Sequence, residues 1–137
     1  MLLAFAIGDA CKELETGVYI ANVTKGWLSP ELLPAVVFII SSFIAFSTGT
    51  SWGTFAIMLA ISIPMSNIHG ADLTIIVAAT LGGGVFGDHC SPISDTSIIS
   101  SMASASDHID HVKTQLPYAL IGGLITTALY VLIGYLG

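Results

Sequence analysis

Residues 32–71 form an unbroken stretch of 40 positions without a formal charge. As one straight helix this stretch would run about 60 Å, twice the roughly 30 Å hydrocarbon core of a bilayer. It must therefore turn. The polar run Ser47-Thr48-Gly49-Thr50-Ser51-Trp52-Gly53 is the natural place, and it leaves apolar limbs at 33–46 and 54–64. These limbs hold 14 and 11 residues, short of the roughly 20 that a comfortable helical crossing needs. Two short limbs about a polar tip predict a re-entrant hairpin over 32–64, which is allowed only where protein shields the tip or the tip lines a cavity. The rival reading is two minimal spans joined by a surface turn.

The same pattern divides the rest of the chain. Residues 1–8 are apolar and leave through Gly8-Asp9-Ala10-Cys11-Lys12-Glu13. Residues 13–31 mix charges with apolar side chains and read as an interfacial segment, with Tyr19 and Trp27 at headgroup depth. Residues 66–70 read as a turn. Asp72 is placed to start a helix that runs through Phe86. A polar break at 87–97 follows, then a short helix from about Thr96 to Ala105, so that 72–105 is a broken helix. Residues 106–113 read as an aqueous loop. Residues 116–136 carry no charge and are long enough for a full transmembrane helix. The expectation is an all-α, polytopic membrane protein with a re-entrant hairpin and a broken helix.

Composition sharpens this picture. Mean hydropathy is +0.89, and 9% of residues are charged, against about 25% in ordinary soluble domains. There is no arginine, and the three lysines stand at 12, 25 and 113. A nucleic-acid partner needs a basic face and is excluded on that ground, and so few lysines do not orient the spans. The net charge is −6, yet three of the nine acids, Asp72, Asp88 and Asp95, lie in or beside apolar runs rather than in a solvated tail. Cys11 and Cys90 have no metal-binding or redox spacing. The first residues lack the basic region and cleavage site of a signal peptide and read as the tail of an apolar helix from upstream. Transport folds pair two repeats around a central site, and 137 residues supply one. The chain is thus expected to be a fragment, a split subunit or the C-terminal part (1–137) of a longer transporter. Its partners would be the lipid bilayer and a missing N-terminal half or partner chain, a homodimer being one form of this.

Chemistry concentrates in Gly87-Asp88-His89-Cys90-Ser91-Pro92-Ile93-Ser94-Asp95-Thr96-Ser97. Ionisable groups among apolar runs are expensive unless they meet water or a bound species, and a proline there frees backbone carbonyls. Asp88 and Asp95, with Ser94, Ser97, Ser91 and Thr96, could form an oxygen cage for Na+, since hard cations take oxygen ligands. A carboxylate that holds Na+ when ionised and H+ otherwise makes the two compete. The plain alternative is that both aspartates cap helix ends at a surface loop, with Asp95 a credible N-cap. His89 is a weaker candidate, and Cys90 reads as small and buried. Thr48, Thr50 and Ser51 in the first polar run offer neutral oxygens, or simply pack helices closely. Gly49-Thr50-Ser51-Trp52-Gly53 also fits G-x-S-x-G, with Asp88 and His108 downstream, but a nucleophile elbow needs a preceding strand. Gly82-Gly83-Gly84 lacks a phosphate-loop lysine, and Gly83 with Gly87 has the spacing of close helix packing, as does the Gly122-Gly123 pair for the last span. Asp88-His89-Cys90 resembles a zinc cluster in composition only.

These residues also carry a resemblance. The run from Phe46 to Met58, the run Gly87-Asp88-His89-Cys90-Ser91-Pro92-Ile93-Ser94-Asp95-Thr96, and Thr114-Gln115-Leu116-Pro117-Tyr118 resemble signature stretches of NhaC-type Na+/H+ antiporters. The resemblance implies secondary active transport in the cell membrane, Na+ against H+, with no cofactor beyond the transported ions. It also admits relatives that exchange malate and lactate or amino acids, within a wider group that has inverted repeats, re-entrant hairpins and broken helices, so that it implies one repeat of an inverted-repeat transporter here. A non-transporting membrane subunit is the remaining alternative.

Overall fold

A computed structural model of the chain describes residues 2–136. Among these described residues there are seven helices and no strand: α1 (Leu2–Glu13), α2 (Thr16–Thr24), α3 (Leu33–Thr48), α4 (Ser51–His69), α5 (Leu73–Cys90), α6 (Asp95–Ala103) and α7 (His108–Leu136).

Local chemistry sets the boundaries. α3 stops where Gly49 takes a left-handed conformation (φ 67°) and donates its N–H to the Ala45 carbonyl. Thr50 is extended and its hydroxyl accepts from the Gly53 amide, which opens α4. Asp72 Oδ1 accepts from the amides of Thr74 (2.7 Å) and Ile75 (3.1 Å) and caps α5. α5 ends before Ser91-Pro92, because proline lacks an N–H and disfavours helical geometry in the residue before it.

Three boundaries differ from the expected ones. The helix expected to stop near Pro64 continues through it to His69, so residues 66–69 are helical and Gly70 (φ 75°) ends the element. The second limb is therefore 19 residues long, enough to cross a membrane, and α3 has 16, about 24 Å. α5 runs four residues beyond Phe86, which narrows the break to residues 91–94. The expected loop at 106–113 is mostly the first turns of α7, because Asp107 accepts from the amides of Ile109 and Asp110 and starts the helix there.

The core is the seam between α3 and α5, the most extensive packing in the molecule. The two helices run parallel: Gly83 lies against the Phe38 carbonyl and Gly87 against the Ser42 carbonyl, so that a Cβ at either would collide with backbone. The seam continues into Leu33, Val37, Phe38, Ile76 and Ala79. α4 lies antiparallel on α5, joined by a buried 3.0 Å hydrogen bond between the Ser62 and Thr80 hydroxyls. α1 and α2 pack on α4. α7 runs antiparallel along α5, with Gly123 against the Phe86 ring and Tyr130 stacked near Phe38. Gly122, by contrast, faces open space.

α4, α5 and α7 are each long and apolar enough to span a bilayer. Large apolar side chains such as Phe43, Trp52 and Leu124 remain exposed, as they would facing lipid or further protein. The chain is an integral membrane protein.

Candidate cation site

The four residues between α5 and α6 separate the carbonyl end of one helix from the amide end of the next. Such ends carry opposite partial charges. Asp88, in the last turn of α5, is 5% exposed. Ser94 donates its hydroxyl to Asp88 Oδ1 at 2.7 Å, and Thr96 donates to Oδ2 at 3.5 Å. The two hydroxyls lie 2.6 Å apart, and Ser94 also caps α6 by accepting from the Thr96 amide. Four oxygens thus converge at one point.

No cation pairs with that carboxylate among the described residues. The ion pairs there are Lys12–Asp9 and Lys113–Asp110, both exposed. A buried carboxylate without a positive partner is costly, and the negative end of α5 adds to that cost rather than relieving it. Hydroxyl hydrogens rotate freely. The same oxygens that donate to the carboxylate can therefore turn lone pairs toward an arriving cation.

The structure brings the two sequence motifs together. A Cβ on Gly49 would stand 2.9 Å from the Ile93 carbonyl oxygen, so the α3–α4 turn rests directly on the break. Ser91 is wholly buried and its hydroxyl accepts from the Ile93 amide. Ser97 is buried and donates to the His89 carbonyl at 3.3 Å.

The other candidates stand differently. Asp95 is exposed in the first turn of α6, and the N-cap position expected for it belongs to Ser94. The His89 side chain is exposed, and Cys90 is buried as expected. Thr48 is exposed and returns its hydroxyl to the Ile44 carbonyl, while Thr50 serves the start of α4 and Ser51 is half-buried. The elbow reading of Gly49-Thr50-Ser51-Trp52-Gly53 loses its context, because a helix and not a strand precedes Ser51.

Two further side chains, which residue spacing does not assign to the site, reach the break. Gln115 donates to the His89 carbonyl at 3.1 Å, and His108 Nε2 lies 2.6 Å from the Pro92 carbonyl. Both come from α7. The contact at Gln115 places the break beside the point in α7 where the uncharged stretch 116–136 begins. A further hollow of about 490 Å³ between α1 and α4, lined by Phe5, Trp52 and Phe55, includes none of the Asp88 cluster.

Several known proteins are similar to this chain in sequence. A protein of unassigned role from Haemophilus influenzae is 40% identical over 98% of this chain, which covers 26% of that protein. A malate-2H+/Na+-lactate antiporter from Bacillus subtilis is 31% identical over 80% of the chain, which covers 24% of its length. An arginine/ornithine antiporter from Halobacterium salinarum is 31% identical over 79% of the chain, which covers 22% of its length. The chain therefore spans about a quarter of the relatives it matches. No solved structure matches it. Residues 1–135 match the sequence pattern of one family throughout: the chain belongs to the Na+/H+ antiporter family.

Proposed function

We propose that this chain is the part of a multi-pass cell-membrane antiporter that carries the cation site, and that the whole protein exchanges Na+ for H+. The observation that carries this reading is Asp88, a buried carboxylate whose side-chain hydrogen bonds come from the Ser94 and Thr96 hydroxyls. A proton or a Na+ can supply the positive charge it lacks, but not both at once. That mutual exclusion is the chemical basis of exchange.

Asp88 is the titrating ligand in this account, with Ser94 and Thr96 as neutral ligands and Asp95 as a second carboxylate on the open side. Ser91, Ser97, Thr48, Thr50 and Ser51 line the approach, and His89 lends its carbonyl rather than its ring. The α3–α4 pair acts as a hairpin whose tip, Gly49, closes on the break. The remaining repeat, on the same polypeptide or a partner chain, covers the exposed side. Alternating access then follows from movement of the broken elements against the rest.

A second reading has Na+ or H+ driving an organic acid or an amino acid, and the names of the Bacillus and Halobacterium relatives favour it. The test is reconstitution of the complete protein in liposomes that hold a pH-sensitive dye. An inward Na+ gradient should drive H+ out and alkalinise the lumen, with no organic solute present. Flux that requires malate, lactate or arginine would move the assignment to the second reading. A complete protein without any flux would make this chain a packing subunit.

A further inference from the structure

The break between α5 and α6 is held from outside by α7. Gln115 Nε2 donates to the His89 carbonyl at 3.1 Å, and His108 Nε2 to the Pro92 carbonyl at 2.6 Å. A carbonyl only accepts, so His108 carries a proton on Nε2, and its Nδ1 faces the Ser101 hydroxyl at 3.3 Å. The His89 carbonyl is one that helix α5 leaves over when it stops at Cys90, and the Pro92 carbonyl belongs to the break itself. The first of them takes a second hydrogen bond from Ser97. Asp88 immediately precedes one anchored carbonyl, and Ser94 follows the other by two residues. Along the chain both anchored carbonyls therefore lie between the carboxylate and the hydroxyl.

His108 and Gln115 are seven residues apart, so they share one face of α7. Packing alone does not need polar side chains there, and leucine would fill the same space. We propose that Gln115 and His108 are positioning residues for the cation site: by fixing two carbonyls of the segment that joins Asp88 to Ser94 they set the separation of those two side chains, and they tie that separation to α7. This rests on the antiport reading above. Any shift of α7 along α5 then changes how well Na+ fits. The helix is a part of the ion cage without touching the ion.

The experiment uses the complete antiporter in proteoliposomes on a Cys11→Ser background, with Gln115→Met, His108→Leu and His108→Gln compared. Loss of one anchor should raise the Na+ concentration for half-maximal exchange about five-fold, the effect of one hydrogen bond, while the maximal rate stays within about two-fold of the parent. His108→Gln keeps a donor at the same reach and should restore the parent value. In parallel, alkylation of Cys90, buried beside the anchored His89 carbonyl, should be faster in Gln115→Met and His108→Leu. Unchanged half-saturation with only a lower maximal rate, or parental Cys90 labelling in both variants, would overturn the proposal. Should Gln115→Met fail to fold, the two His108 variants decide. Should the parent show no Na+-dependent flux, the antiport reading fails by itself and Cys90 labelling still decides the anchoring.

Discussion

Gly49 and Asp72 show how single residues hold the ends of helices in this chain. Gly49 has a left-handed backbone and lies against the Ile93 carbonyl. Gly49→Ala should cost about 1–2 kcal/mol for the backbone conformation alone and push the tip off the break. Thermal unfolding in detergent should therefore fall, and Na+-driven flux with it. Asp72, fully exposed, is held below the usual carboxylate range, first by the Ile75 amide and then by the Thr74 amide. Its folded-state value is depressed, so its contribution is present above the unfolded value and lost as pH falls through the folded one. Melting temperature measured downward from about pH 4 should drop more steeply for the parent than for Asp72→Asn, which can still cap but does not titrate. At this scale the sequence was informative about Asp72 as a helix start and Cys90 as a buried side chain. It could not separate Ser94 from Asp95 as the cap, because both residue types favour that position and only the path of residues 91–94 decides.

Helices and their seams were legible to different degrees. The turn at 49–50, the break before α6 and the spacing of Gly83 and Gly87 all followed from residue type. The end of α4 did not, since a proline signals a stop in an isolated helix while membrane helices tolerate it when their neighbours satisfy the freed carbonyl. The reach of α7 over the break was also hidden, because Gln115 and His108 find their partners 26 and 16 residues away. The glycine seam gives a paired expectation. Gly87→Ala puts a methyl into the Ser42 carbonyl and should destabilise by about 1–3 kcal/mol. Gly122→Ala faces open space and should be neutral or gain up to about 1 kcal/mol of helix propensity. Equal melting temperatures for the two variants would contradict close α3–α5 packing.

At the scale of the whole molecule, the chain is about a quarter of its relatives and exposes much of α7. What it holds is one converging set of oxygens, formed where a broken helix meets a glycine turn. The most direct measurement is Na+-driven proton flux by the complete antiporter, reconstituted with Asp88, Asp88→Asn or Asp88→Glu. The asparagine variant keeps the shape and loses the charge, so its flux should fall to the level of empty liposomes, whereas glutamate should retain a part with altered Na+ dependence. Parental flux from Asp88→Asn, at equal protein in the liposomes, would contradict the account.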